Sequence, residues 1–259
     1  MKILSVLVLV GCIVGIPAQT EGWQLVNTPF APVSRDRMTF DEARGVSLIF
    51  GGLTNQETWT YNGTAWQMQS PAHIPPSRLG HFLGYDPVGQ RVLLYGGSAN
   101  STALDDTWEW DGSDWTQIGS GPDARYNGAM AFDPVRQQML RFGGNGPNGS
   151  HAETRAWSGS QWLLLSTGGP AAREGATMVT DTLRNRVILY GGSGPQGGSG
   201  GRFNDTWEWN GSVWAQHFSA TTPPHLSGPS MAFHAAKGWV ILGNGDMPFG
   251  TPNTDVFAW

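Results

Sequence analysis

Short apolar runs recur along the chain, and each ends in a pair of glycines. The runs are SLIFGG, LLYGG, LRFGG and ILYGG, and ILGNG is a divergent fifth copy. The second glycine falls at positions 52, 97, 144, 192 and 245, so the spacings are 45, 47, 48 and 53 residues. A period of this length, with few helix-forming runs between the copies, predicts a repeat built from short strands.

Each repeat carries further signals on both sides of the glycines. A turn precedes the apolar run, in the segments FDEARG, YDPVGQ, FDPVRQ, TDTLRN and the divergent FHAAKG. An acidic residue opens an aromatic strand after the glycines, at Glu57, Asp106, Glu153, Asp205 and Asp255. A two-residue turn is predicted next, at Asn62-Gly63, Asp111-Gly112, Ser158-Gly159 and Asn210-Gly211. Asn-Gly and Asp-Gly favour a β-hairpin because both residues tolerate positive φ.

Each repeat therefore predicts four short antiparallel strands, which we name a to d in chain order. Four strands in 45–53 residues are typical of one blade of a β-propeller. In strand c the two-residue period places Trp108 and Trp110 on one face and Glu109 on the other. Strand d opens with a tryptophan in four repeats. Because tryptophans recur in every repeat, we expect them to pack between blades rather than to bind a ligand.

Two segments near the termini resemble the two halves of one hairpin. TDVFAW, residues 254–259, matches strand c without a strand d after it, and EGWQLV, residues 21–26, matches strand d, with Trp23 in the place of Trp66. We therefore expect an all-β propeller of about five four-stranded blades in which the N-terminal strand completes the last blade. Such closure removes strand edges that would otherwise invite aggregation.

The N-terminal segment predicts export. Lys2 precedes an apolar run of 14 residues, Ile3 to Ile16, and small residues favour cleavage after Ala18. The run is shorter than the roughly 20 residues of a membrane-spanning helix, so we expect no transmembrane span. Two alternatives stay open: a lipoprotein signal, LVGC, with a lipidated Cys12, and a retained anchor. We predict a signal peptide over 1–18 and a propeller over 19–259, secreted or located in the periplasm or cell envelope.

Composition narrows the classes of function. The chain has 15 Lys and Arg against 20 Asp and Glu, and the absence of a basic run or stripe argues against nucleic-acid binding. Cys12 is the only cysteine, so cleavage after Ala18 leaves a chain stabilised by packing rather than by disulfides. The six histidines lack metal-ligand spacing, and neither a G-x-S-x-G motif nor a phosphate-binding loop is present. The sequence predicts no metal and no cofactor.

The repeat resembles the kelch repeat in its paired glycines, its aromatic strand c and the tryptophan that opens strand d. The resemblance covers residues 22–259, and the phrase DTWEWDG is most similar to the kelch-like repeats of secreted bacterial proteins. It implies a propeller that acts as a binding scaffold. Galactose oxidase has similar repeats and holds copper beside a Tyr–Cys crosslink. After cleavage this chain would have no cysteine, so that copper site could not form.

Candidate binding residues lie on the face where the d–a and b–c loops open. Arg78, Arg125 and Arg173 each stand eight residues before the turn acid; Arg35 matches after a two-residue gap, and Leu226 takes the position in blade 5. The resemblance implies that such arginines line the channel mouth and bind acidic partners. We expect a protein or glycan ligand that is anionic or rich in hydrogen-bond acceptors. The alternative is that the arginines pair with the acids of strand c.

In blade 3, two further arginines stand at positions that are apolar or aromatic in the other repeats. Arg141 replaces the Leu or Ile of strand b, and Arg155 replaces the first aromatic residue of strand c. Departures from a local rule are candidates for function. A buried guanidinium needs a partner, so each is either paired or exposed, and Arg155 could instead stack on a tryptophan.

These observations predict a secreted, monomeric, non-catalytic propeller that binds its ligand through the d–a and b–c loop face. The alternative is an extracellular carbohydrate-active or oxidative enzyme with a site built from loops on the same face.

Overall fold

The computed structural model describes residues 37–52, 55–248 and 252–259. These residues form a five-bladed, all-β propeller, as the repeat predicted. The helical content of the described residues is a single 3-10 turn, Ser199–Gly201. No helix among them is long and apolar enough to cross a membrane.

Four blades each contain four antiparallel strands, hydrogen-bonded to one another in chain order. Blade 1 contains β1 (Met38–Asp41), β2 (Val46–Phe50), β3 (Thr58–Tyr61) and β4 (Trp66–Met68). Blade 2 contains β5 (Phe82–Asp86), β6 (Arg91–Ala99), β7 (Thr102–Trp110) and β8 (Trp115–Ser120). Blade 3 contains β9 (Ala129–Asp133), β10 (Gln138–Phe142), β13 (Thr154–Trp157) and β14 (Trp162–Ser166), and its b–c loop adds the short hairpin β11 (Asn145–Gly146) and β12 (Gly149–Ser150).

Blade 4 contains β15 (Thr177–Asp181), β16 (Arg186–Tyr190), β17 (Thr206–Trp209) and β18 (Trp214–His217). In blade 5 the described residues form three strands, β19 (Ser230–His234), β20 (Trp239–Gly243) and β21 (Val256–Ala258). The predicted fourth strand, residues 21–26, lies outside the described residues, so closure of the ring by this strand stays a prediction.

The first strand of each blade contacts the first strand of the next, from β1 through β5, β9 and β15 to β19. The apolar core lies between the blades. Between blades 1 and 2, for example, Leu48 and Phe50 pack in one fully buried cluster with Leu94, Trp110 and Trp115. Three similar clusters fill the following interfaces. The fold is therefore held together by apolar layers between blades.

Six tryptophans of strands c and d are buried in the clusters between blades, as expected from their recurrence, whereas Trp239 and Trp259 are exposed. Each of three tryptophans that open strand d donates its indole N–H to a threonine in strand c of the preceding blade. The bonds join Trp115 to Thr58 at 2.9 Å, Trp162 to Thr107 at 3.1 Å and Trp214 to Thr154 at 2.7 Å. A buried indole N–H needs a partner, and the repeat supplies one in each of these interfaces.

The paired glycines allow neighbouring blades to approach closely. Gly96 and Gly97 have φ of 60° and 105°. A Cβ atom on Gly96 would lie 2.4 Å from the carbonyl oxygen of Arg125, and the amide of Gly97 donates to that oxygen at 2.8 Å. Only glycine combines this backbone conformation with such a close approach.

The c–d hairpins are longer than the sequence predicted. Tyr61 pairs directly with Trp66, so the loop contains four residues rather than two. The side-chain oxygen of Asn62 accepts hydrogen bonds from the amides of Thr64 and Ala65, at 3.0 and 2.9 Å. Gly63 alone of the four takes positive φ. The Asn-Gly pair thus forms an Asx-type turn, and the predicted two-residue turn is wrong.

Candidate functional site

Two of the predicted binding arginines, Arg78 and Arg173, are buried at equivalent positions in the d–a loops of blades 2 and 4. Each holds the acid of strand c with both ends of its guanidinium fork. The Nη2 atom of Arg78 lies 2.7 Å from Asp106, and that of Arg173 lies 2.9 Å from Asp205. This is the pairing that the sequence offered as the alternative to ligand binding.

Backbone carbonyls bind the remaining donors of these two guanidiniums. Arg78 donates from Nε to the carbonyl of Pro76 at 3.0 Å and from Nη1 to that of Gly96 at 2.9 Å. Arg173 makes the same two bonds, to Ala171 at 2.9 Å and to Gly191 at 3.0 Å. Every nitrogen of both side chains therefore donates within the fold, which ties the d–a loop to its own blade. A direct role of either residue in ligand binding stays a prediction.

The electrostatics agree with this pairing. Burial alone would raise the pKa of Asp205, but the hydrogen bonds and charge of Arg173 hold that pKa below its usual value. The guanidinium of Arg173 also lies 3.7 Å from the centroid of the Phe203 ring. Asp205 is therefore ionised at neutral pH and anchors a stacked arginine.

Blade 3 is built differently because Asp123 stands where blades 2 and 4 have Pro76 and Ala171. Its carboxylate forms ion pairs with Arg125 and with Arg141, whose Nη2 lies 2.8 Å away. The Nε atom of Arg155 lies 3.8 Å from the same carboxylate. Three of the six predicted binding residues thus surround one acid.

Glu153, the strand c acid of blade 3, completes this arrangement. It lies 2.9 Å from Nη2 of Arg125 and 3.8 Å from Nε of Arg155. We call Arg125, Arg141, Arg155, Asp123, Glu153 and His151 the blade 3 arginine cluster. Three guanidiniums against two carboxylates leave one positive charge when His151 is neutral.

The cluster reaches from the protein interior to the surface. The side chain of Arg141 is 2 % exposed, that of Arg155 is 14 % exposed and that of Glu153 is 30 % exposed. Arg141 also stacks on Tyr95, with its guanidinium carbon 4.3 Å from the ring centroid. The sequence offered stacking of Arg155 on a tryptophan, whereas the stacked arginine found here is Arg141 and its closest ring is that of Tyr95.

Burial and charge shift the pKa values of the cluster. Burial lowers the pKa of Arg141 and raises that of Tyr95 to about 12. Burial also lowers the pKa of His151, and the positive charge of Arg125 lowers it further. Asp123 is held below its usual pKa by Arg141 and Arg125 despite the opposing effect of burial. At neutral pH the cluster therefore contains a neutral imidazole beside an excess guanidinium.

Four buried nitrogens in the cluster have no hydrogen-bond partner among the described residues. They are Nε of Arg125, Arg141 and Arg155, and Nε2 of His151. In blades 2 and 4 the corresponding Nε atoms of Arg78 and Arg173 are satisfied by carbonyls. Buried polar groups without a hydrogen-bond partner are costly, so the four nitrogens make blade 3 a place on this face where a ligand could complete the hydrogen bonding.

Sequence reasoning selected Arg125, Arg141 and Arg155 but missed Asp123 and His151. The available signal was an acid two residues before Arg125, at a position that is apolar in blades 2 and 4. Arg35, the remaining predicted binding residue, lies outside the described residues. No group of three or more His, Cys, Asp or Glu suited to a metal ion occurs in the described part of the chain.

A scan against protein-family models returns no match for this chain, and a search of curated proteins returns none either. The fold is a five-bladed β-propeller, and membership of the kelch family stays an expectation from the repeat.

Proposed function

We propose that this chain is an exported binding propeller of the kelch type whose blade 3 arginine cluster takes an anionic group of its ligand. The observation that carries the proposal is the excess guanidinium among buried nitrogens that lack a hydrogen-bond partner. The cluster lies on the face where the d–a and b–c loops open, which is where a rigid scaffold presents binding residues.

The chemistry of the cluster favours a carboxylate or another oxyanion as the bound group. Arginine offers planar, paired N–H donors that match the two oxygens of a carboxylate. One negative charge would neutralise the excess positive charge of the cluster. Arg155 is the most exposed of the three guanidiniums, so it would make the first contact.

Such a group could belong to an acidic glycan or to an acidic segment of a protein. The mature chain, residues 19–259, would be screened against arrays of uronate-containing oligosaccharides and of acidic peptides, with neutral members as controls. We expect acidic members of one array to bind and their neutral analogues not to bind. The alternative, an enzyme with a loop-built site on this face, predicts turnover of a bound oligosaccharide.

Two variants connect binding to the cluster. Arg155→Gln should weaken binding by about tenfold, because a charged hydrogen bond is worth roughly 1.5–3 kcal/mol. Arg186→Gln is the matched control, since Arg186 is also an arginine paired with an acid, Glu208, but belongs to blade 4. The proposal would be contradicted if both variants bound the acidic ligand as tightly as the wild type does. It would also be contradicted if no acidic member of either array bound.

A further inference from the structure

The a–b turns form the opposite end of the propeller, and arginines there connect neighbouring blades. The fourth residue of the turn is Arg44, Gly89, Arg136, Arg184 or Lys237 in blades 1 to 5. Arg44 pairs with the acid of its own turn, Asp41, at 2.8 Å. The same nitrogen donates to the carbonyl of Gln90 in blade 2 at 2.9 Å, and Nη2 binds the carbonyl of Asp111 in the c–d turn of that blade.

Two later interfaces repeat this connection. Arg184 lies 2.6 Å from the turn acid Asp181 and donates to the carbonyl of Gly238 in blade 5 at 3.0 Å. In blade 3, Nε of Arg136 lies 3.9 Å from Asp133 and donates to the carbonyl of Gly211 in blade 4. In three blades, therefore, one guanidinium joins a turn acid to a backbone carbonyl of the next blade.

The interface between blades 2 and 3 lacks this guanidinium, because blade 2 has Gly89 at the position. A groove of about 410 Å³ opens at this interface. Asp86, Gly89, Gln137, Ser158 and Gly159 are among the residues that line it. Gln137 occupies the position in its a–b turn that Gln90 and Gly238 occupy in theirs. The Ser158-Gly159 turn is the c–d turn equivalent to the c–d turns that contain Asp111 and Gly211. The groove thus keeps the residues whose equivalents bind an arginine elsewhere.

Asp86 shows the consequence of the missing side chain. Its Oδ1 accepts from the amide of Val88 at 3.0 Å, whereas the Oδ2 atoms of the equivalent Asp41 and Asp181 each accept from the arginine of their own turn. Asp86 is partly exposed, whereas the equivalent acids Asp41 and Asp181 are fully buried. A Cβ atom on Gly89 would lie 2.7 Å from Oδ2 of Asp86 and 2.8 Å from Nε of Arg91, so a residue 89 side chain would start beside this carboxylate and the Arg91 side chain.

The neighbouring cation is already engaged. Arg91 donates from Nε to the carbonyl of Gly89 at 3.2 Å and from Nη1 to Glu109, which also lines the groove. The groove therefore contains two carboxylates, Asp86 and Glu109, and one guanidinium, Arg91, which gives it one net negative charge. A cation that enters the groove would be attracted by this charge.

We propose that the groove between blades 2 and 3 binds a guanidinium group from outside the chain, in the position that an arginine of the fold occupies in the other interfaces. The group could belong to a free small molecule or to an arginine side chain of a protein. A planar guanidinium can contact the Asp86 carboxylate and backbone carbonyls of blade 3 together, and the compact ammonium of lysine cannot match that fork. This site is on the opposite end of the propeller from the blade 3 arginine cluster and does not depend on it.

The first test compares two small probes by NMR titration of the mature protein. N-acetyl-arginine methylamide should bind at least about tenfold more tightly than N-acetyl-lysine methylamide, because only the former provides paired planar donors. A peptide with arginine flanked by glycines distinguishes the sources. Equal affinity of the peptide and the small probe indicates a free guanidinium compound, and tighter binding of the peptide indicates a protein partner. Absence of binding of both arginine probes would overturn the proposal.

Variants locate the bound probe. Gly89→Arg supplies the guanidinium from the chain itself and should abolish probe binding. Gly89 is not among the residues of positive φ, and the new Cβ requires only the ends of the Asp86 and Arg91 side chains to shift. Asp86→Asn keeps the shape of the groove and should weaken probe binding about tenfold. Arg186→Gln is again the control and should bind as the wild type does. Unchanged binding by both Asp86→Asn and folded Gly89→Arg would also overturn the proposal.

Discussion

Arg141 and Arg155 stand directly opposite each other in the antiparallel pairing of β10 and β13. Like charges at such positions repel, and Asp123 lies within ion-pair distance of both side chains. The carboxylate of Asp123, in the d–a loop, therefore offsets the repulsion between two arginines that face each other across β10 and β13. This relationship is specific to blade 3, since the equivalent positions of blade 2 are Leu94 and Trp108, which pair in the same register.

Removal of the Asp123 charge should destabilise the protein. Asp123→Asn leaves the buried guanidinium of Arg141 without its carboxylate, and such a loss costs about 3 kcal/mol or more in buried pairs. The free energy of unfolding would be measured by urea denaturation. Glu153→Gln is the comparison, and we expect a smaller loss because Glu153 is more exposed. A loss below about 1 kcal/mol for Asp123→Asn would show that Arg141 does not depend on this acid.

Acid should weaken the fold through Asp123 and Asp205. Both have pKa values below the usual range in the folded state because arginines stabilise their ionised forms against the effect of burial. Their contribution to stability is therefore full above the unfolded pKa, about 3.9. It is lost as pH falls through the lower folded pKa. Unfolding measured between pH 6 and pH 2 should show a steep loss below about pH 4, reduced in Asp123→Asn. An equal slope for the wild type and the variant would contradict this assignment.

Arg173→Ala distinguishes a structural role from a binding role at the equivalent d–a loop positions. The change removes the guanidinium that donates to the carboxylate of Asp205 and to the carbonyl of Gly191, and leaves Asp205 with the indole N–H of Trp207 as its side-chain donor. We expect a loss of about 3–5 kcal/mol in stability. Affinity for an acidic ligand, corrected for the folded fraction, should stay unchanged. Reduced affinity at unchanged melting temperature would instead support the ligand-binding prediction for Arg173.

The indole-to-threonine bonds give a test of ring closure. Thr206 corresponds to Thr58, Thr107 and Thr154, each of which accepts from the strand d tryptophan of the next blade. If residues 21–26 complete blade 5, Trp23 should donate to Thr206. A double-mutant cycle of Trp23→Phe and Thr206→Val should then show a coupling of about 0.5–1.5 kcal/mol. Trp23→Phe with Thr58→Val is the control and should be additive; additivity in both cycles would disprove the predicted closure.

Export can be tested directly on the protein recovered from its host. Cleavage after Ala18 predicts a mature N-terminus at Gln19, which mass spectrometry of the intact protein would detect. A diacylated Cys12 at the N-terminus would support the lipoprotein alternative, and an unprocessed Met1 would contradict both forms of cleavage.

Much of the architecture was determined by the sequence alone, because the information that specifies a blade is local. The glycine pair after each apolar run, the acid that opens strand c and the tryptophan that opens strand d all lie within one period. Their recurrence predicted the strand order and the number of blades, and the structure confirms both. The c–d turn was predicted with the wrong length, since Asn62 uses its side chain to extend the turn to four residues.

The tertiary structure decided how the charged residues act, because ion pairs depend on distances between segments that are remote in sequence. Arg78 and Arg173 look the same as Arg125 in the sequence, but their Nε atoms are satisfied and that of Arg125 is not. Likewise, Gly89 reads as an ordinary turn residue. Its effect on the interface with blade 3 follows only from the tertiary structure, in which the arginines of the other turns contact the following blade. The repeat specifies each blade, whereas packing specifies the contacts between blades.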